Sequence, residues 1–133
     1  MGGTEIAYTH KNLKQVKDSA PEFGFGHHQE AHFATEDMDA ENTGLSYHVV
    51  RPDQRQGFGH RHENAEEIYV VLSGTGRAKL DDEIIDLEPM DAIRVAPQVA
   101  RAFEAGSDGL ELLAFGPRHK GDGELVHDFW PAG

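Results

Sequence analysis

The residues best placed to do chemistry lie between Gly57 and Gly76, in the run GFGHRHENAEEIYVVLSGTG. His60 and His62 stand two apart, a spacing that puts both imidazoles on one face of a strand and turns Arg61 away. Glu67 opens the next apolar stretch. Counting by twos, Tyr69 and Val71 share its face, while Glu66, Ile68 and Val70 share the other. A short loop between the two strands lets Glu67 face the histidines. Two imidazoles and one carboxylate on one side of an ion leave positions open for water and a ligand, which suits Fe(II), Mn(II), Ni(II) or Zn(II). An ion held this way can activate water, bind oxygen or polarise a carbonyl.

Positioning such a cluster needs short, regular strands, and the chain is punctuated for them. Its 15 glycines separate short segments rich in Val, Ile, Leu, Phe and Tyr, the mark of an all-β sandwich or barrel. The clearest strands are Leu45–Arg51, Glu66–Ser73, Gly76–Leu80, Glu83–Leu87, Ala92–Val95, Ala100–Ala105 and Leu110–Phe115. Turns are expected at Pro52-Asp53, Gly74-Thr75-Gly76, Asp81-Asp82, Glu88-Pro89-Met90-Asp91 and Gly106-Ser107-Asp108-Gly109. Before the barrel, Asn12–Asp18 reads as one or two helical turns with Leu13 and Val16 on one side. Glu30–Glu36 reads as a strand, because Ala31, Phe33 and Thr35 alternate. Near the end, Phe129-Trp130 is expected to anchor the tail against the barrel or a neighbouring subunit.

The spacing of His60, His62, Glu67 and, six residues on, Gly74 resembles the first signature of the cupin superfamily. That signature's leading glycine is replaced by Gln54. The stretch Asp91-Ala-Ile-Arg-Val-Ala-Pro-Gln-Val-Ala-Arg-Ala-Phe resembles the second signature, with Ala96 in place of its proline, Gln98 in place of its glycine and Arg101 in place of its histidine. The likeness covers Leu45 to Phe115. It implies an all-β fold: one cupin-type double-stranded β-helix, or jelly-roll barrel, with a short irregular amino-terminal segment. The barrel core would span about 40–116, with an arm at 1–39 and a tail at 117–133. The resemblance also implies a homodimer, and that the missing histidine is the usual fourth metal ligand.

Arginine cannot stand in as that ligand, since it is cationic and offers donors only. Arg101 therefore has three readings. It clamps an anionic ligand beside a three-ligand metal site, or pairs with Glu67 in a metal-free polar cavity, or points outward. By strand parity Tyr69 and Phe103 line the cavity with Arg101, giving apolar walls around a few polar groups. His48 could replace the missing ligand, but Leu45, Tyr47 and Val49 form the more apolar face of their strand. Tyr47 is thus expected inward and His48 outward. The tract from His27 to His32 reads as a solvated polar segment that can capture metal adventitiously. His119 and His127 carry no recognisable spacing. Ser73 has no triad context, Gly74-Thr75-Gly76 lacks the rest of a phosphate loop, and Asp81, Asp82 and Glu83 lack a calcium loop.

The bulk properties narrow the partners. The 133 residues suffice for one hydrophobic core. With 24 acidic against 12 basic residues the formal charge is −12, which disfavours nucleic acid and anionic membrane surfaces. The absence of cysteine excludes disulfides, thiol catalysis and cysteine zinc sites. Met1–Leu13 lacks the apolar centre of a signal peptide, and no apolar run is long enough to span a membrane, so a cytoplasmic location is expected. The leading expectation is a small-molecule-binding protein with an anionic or polar ligand and a three-ligand divalent-metal site. The alternatives are a metal-free binding or sensing module, a metal-dependent oxygenase or isomerase, and a structural dimer with a relic site.

Overall fold

A computed structural model describes residues 7–131; the first six residues of the arm and the last two of the tail lie outside the described residues. The described residues form eight strands: β1 (Gln29–Phe33), β2 (Thr43–Val50), β3 (Gly59–His62), β4 (Glu67–Leu80), β5 (Glu83–Leu87), β6 (Ala92–Val95), β7 (Arg101–Pro117) and β8 (Gly123–Val126). All pair antiparallel in one curled sheet of order β1-β2-β7-β3-β8, while β4 pairs with β5, β6 and β7. The result is the expected all-β jelly-roll barrel. No helix among the described residues is long and apolar enough to cross a membrane.

β4 and β7 run the length of the barrel, and both change phase midway. In β4 the inward residues are Tyr69 and Val71, then Ala78; in β7 they are Phe103 and Ala105, then Leu110, Leu112 and Ala114. Odd positions give way to even ones because the register slips between Val71 and Ser73 and again between Gly74 and Gly76. A slip of one residue would otherwise turn the whole apolar set outward. The two segments expected as turns, Gly74-Thr75-Gly76 and Gly106-Ser107-Asp108-Gly109, are therefore irregularities inside continuous strands. Their glycines serve close approach: a Cβ at Gly74 would collide with the carbonyl oxygen of Gly109, and one at Gly76 with that of Glu104.

Both flanks contribute strands. In the arm, Leu13–Gln15 and Ala20–Phe23 are short 3-10 turns, Val16 and Ala20 are buried, and β1 pairs with β2. Asp18 fixes this arrangement by accepting the backbone N–H groups of Ala20 and Ala31, each at 2.9 Å. The arm covers the Tyr47 face of β2, so that strand is enclosed on both sides. Tyr47 packs its ring on His32 at 5.4 Å and donates its hydroxyl to Glu111, while Val50 lies in the core. The facing expected from the sequence is thus reversed: Ser46, His48 and Val50 point into the barrel.

The tail is pinned by its aromatic pair. Trp130 donates its indole N–H to the Gln56 carbonyl at 2.8 Å, with the Arg55 guanidinium 4.6 Å above its ring. Phe129 lies against Gly59, under the Lys79 ammonium at 3.8 Å. The core itself, which includes Val71, Phe103, Leu110 and Leu112, reaches up to Tyr69 and Ala114. Each fully buried side chain of this kind contributes roughly 1.5–3 kcal/mol. Beyond Tyr69 and Ala114 the barrel opens into a cavity.

Candidate metal and ligand site

Three strands bring the cluster together. β3 carries His60 and His62 on one face, β4 begins at Glu67, and β7 begins at Arg101, directly opposite His60. The His62 amide donates to the Pro97 carbonyl at 2.7 Å, which holds β3 against the loop before β7. Ligand atoms of His60, His62 and Glu67 all lie within 4.8 Å of one another, so these residues could hold a metal ion.

The contacts converge on one oxygen, Oε1 of Glu67. It lies 3.0 Å from His62 Nε2 and 3.6 Å from His60 Nε2, and it accepts the Tyr69 hydroxyl at 2.7 Å and an Arg101 N–H at 3.1 Å. The Tyr69 oxygen is also 3.2 Å from His60 Nε2. Burial alone would raise the Glu67 pKa, but the approach of His60, His62 and Tyr69 outweighs it and holds the carboxyl well below its usual range. Burial lowers the His60 pKa, against the pull of Glu67 and with help from Arg101, so its imidazole is neutral near pH 7. Burial and Glu67 together keep the Tyr69 phenol protonated. Among the described residues, the buried Nδ1 and Nε2 of His62 have no hydrogen-bond partner, although Nε2 lies 3.0 Å from Glu67 Oε1. An unpartnered Nε2 beside a carboxylate suits a metal ligand, whose lone pair is directed at an ion.

Arg101 has 0% exposure. Its guanidinium donates to the carbonyls of Val99 at 2.8 Å and Pro97 at 3.3 Å as well as to Glu67. Of the three readings open from sequence, the geometry matches the pairing with Glu67. It excludes the outward orientation. Arg101 is also absent from the cavity wall. Phe103 points inward as parity requires, but it is buried beneath Tyr69, with the rings 4.8 Å apart, and it too is absent from the wall. Tyr69 does line the cavity.

Two further residues join the site, one with no signal in the sequence and one expected to face outward. The first is Asp122, in the turn before β8. Its side chain is 3% exposed and accepts the backbone N–H groups of Glu63, Asn64 and Ala65 at 2.8–3.1 Å. It thereby closes the loop that joins His62 to Glu67. Its Oδ2 also stands 3.6 Å from His62 Nδ1, behind the ring. The local run Lys120-Gly121-Asp122-Gly123 reads as an ordinary turn, so only the pairing of β3 with β8 reveals the contact. The second is His48, which lines the cavity with Nε2 2.8 Å from the Ser46 hydroxyl. Burial, aided by His60, lowers its pKa to about 4, so it is neutral. It is not part of the three-residue cluster.

The cavity measures about 570 Å³. Phe23, Phe25, Phe33, Leu45 and Phe58 form much of its wall, with His60, His62, Glu67 and Tyr69 among its polar groups. Phe25 and Phe58 meet edge to face at 4.7 Å, while Phe23 and Phe33 remain 62% and 54% exposed. Basic groups come from Arg118, His119 and Lys120, just after β7. The tract from His27 to His32 is more ordered than a solvated segment: buried His32 lies 2.6 Å from the Val16 carbonyl and 2.9 Å from Glu30, and His28 lies 2.9 Å from Gln54. His127 packs its ring on Phe58 at 4.6 Å.

Comparison with known proteins gives a consistent picture. A family model described as a cupin domain matches residues 46–115. No curated protein matches the chain. Among solved structures, the polyketide cyclase RemF from Streptomyces resistomycificus aligns with a TM-score of 0.71 and 19% identity, over 92% of this chain and 87% of that one. A cupin protein from Bacteroides fragilis gives a TM-score of 0.68 and 23% identity over 88% and 89%. A putative sugar phosphate isomerase from Acidithiobacillus ferrooxidans gives 0.61 and 18% over 79% and 81%. At these identities the similarity concerns the fold.

Proposed function

This chain belongs to the cupin domain family, and from that premise we propose that it binds a small, largely apolar molecule in the barrel mouth, beside a divalent metal ion held by His60, His62 and Glu67. The observation that carries this reading is the meeting of an aromatic-walled cavity of about 570 Å³ with those three ligand-bearing side chains. Apolar wall and convergent polar groups are the usual make-up of a small-molecule site. The unpartnered Nε2 of His62 supports the metal. Fe, Mn, Ni and Zn all suit two imidazoles and a carboxylate, and such an ion would supply Lewis acidity toward an oxygen of the ligand. Tyr69 and the neutral His48 would orient that ligand, the phenylalanines would exclude water from it, and Asp122 would hold His62 in place.

A second reading is favoured by one specific feature. Tyr69, Arg101 and both histidines already gather around one oxygen of Glu67. This would serve a metal-free binding or sensing module, with the cluster recognising the ligand by hydrogen bonds. A cyclase and an isomerase among the structural relatives make catalysis a further extension of the first reading.

Metal analysis of protein purified without an affinity tag, together with thermal shifts on adding Fe, Mn, Ni or Zn, separates the two. A ligand at a hundredfold its Kd stabilises by about 2.7 kcal/mol, or roughly 10 °C in a domain of this size. The first reading expects a shift of this order that H62A abolishes. Absence of bound metal and of any shift with all four ions would leave the metal-free module.

A further inference from the structure

We propose that ion and ligand bind this site as a pair: Arg101 leaves a divalent ion one positive charge in excess, and the molecule that completes the site is a monoanionic oxyanion with an apolar body. The inference rests on the metal-site reading above and goes beyond it by naming the ligand class and the coupling.

The charged groups around the cluster are fixed in place and can be counted. Arg101 has no exposure, and its guanidinium is tied to Glu67 and to two backbone carbonyls, so its charge can neither swing into the cavity nor reach solvent. That charge cancels the one contributed by Glu67. Asp122 adds a single negative charge behind the His62 ring, spread over three backbone N–H groups. The histidines serve as ligands only as neutral imidazoles, and the Tyr69 hydroxyl, a donor to Glu67, is neutral. The groups in contact with the cluster therefore sum to one negative charge, against the two positive charges of the ion. Two further carboxylates line the cavity, but Glu36 is paired with Arg118 and Glu124 with Arg61, so neither is free to offset the surplus, which faces the phenylalanines where uncompensated charge is costly. A monoanion closes the count. Its oxygen would meet the cluster and its apolar part would meet Phe25, Phe58, Phe23 and Phe33, the last two of which are largely uncovered.

Such coupling is reciprocal: whatever factor the anion contributes to ion affinity, the ion contributes to anion affinity. Benzoate is a suitable probe, and benzamide is its neutral counterpart of the same shape. Calorimetric titration of Mn(II) into tag-free, chelator-stripped protein should show a Kd that benzoate lowers by about tenfold or more. The Kd for benzoate should fall by the same factor with Mn(II), and benzamide should change neither. R101Q should bind Mn(II) tightly without benzoate, and R101K should behave as the wild type. If R101Q does not fold, the comparison of benzoate with benzamide on the wild-type protein decides. Tight Mn(II) binding that ignores benzoate, or that responds equally to benzamide, would overturn the coupling and leave the metal site standing. Absence of Mn(II) binding both with and without benzoate would overturn the coupling and the metal-site reading together.

Discussion

Breaking the Arg101–Glu67 pair is the most informative single perturbation of the folded protein. R101M removes the cation and keeps an apolar stem of similar length. The Glu67 carboxylate then loses a donor at 3.1 Å in a site where its side chain is only 19% exposed. Removing one partner of a buried pair costs about 3–5 kcal/mol. The lower end applies, because Tyr69 still donates to the same oxygen. E67Q leaves Arg101, with no exposure, holding its full charge against two backbone carbonyls and an amide, and about 3 kcal/mol is again expected. The double variant R101M/E67Q has no uncompensated charge, so its loss should fall short of the summed single losses by about 2 kcal/mol or more. Urea denaturation in the presence of a chelator measures all four proteins, and unchanged m-values would show that the midpoints report stability. Strict additivity of the two single variants would refute the claim that these residues form one unit.

Further outcomes follow from the geometry. D122A should lower Mn(II) affinity by about 10–100-fold, because Asp122 accepts the Glu63, Asn64 and Ala65 amides and so fixes the loop that joins His62 to Glu67; calorimetry measures it, and D122E should recover part of the loss. The His32 pKa is pulled down by burial, but the Val16 carbonyl and Glu30 carboxylate outweigh this and raise it on balance. Its contribution to stability is therefore complete below the unfolded value of about 6.5 and lost as pH rises through the higher folded value. The Tm advantage of wild type over H32Q should accordingly be largest in mild acid and smallest in mild alkali. G76A should cost about 3 kcal/mol or more in a denaturant titration, because its Cβ would collide with the backbone of β7. G121A, with positive φ but nothing within 4 Å of a Cβ, should cost only about 1 kcal/mol.

Much of the cluster was legible from strand parity. His60 and His62 had to share a face, and Glu67 had to share one with Tyr69, so convergence followed once the strands paired. Parity failed at β2, because polarity marks the inner face only when the other face meets water. Here the arm covers Tyr47, and Tyr47 and His48 each find a polar partner, Glu111 and Ser46. Glycine was misread for a related reason. Reversal of the chain and close approach of two strands both demand it, and residues 74–76 and 106–109 use the second. The sequence left three orientations open for Arg101, and only the enclosure of its side chain against Glu67 and two carbonyls selects among them. Asp122 had no signal at all, since its role depends on the pairing of β8 with β3.

Everything proposed for the cavity depends on whether His60, His62 and Glu67 hold a metal ion. Anomalous difference density measured near the manganese edge, from crystals of tag-free protein grown with Mn(II) and benzoate, tests it most directly. One strong peak is expected, bounded by the two Nε2 atoms and the Glu67 carboxylate. Density confined to surface groups such as His27, with none at the cluster, would contradict it.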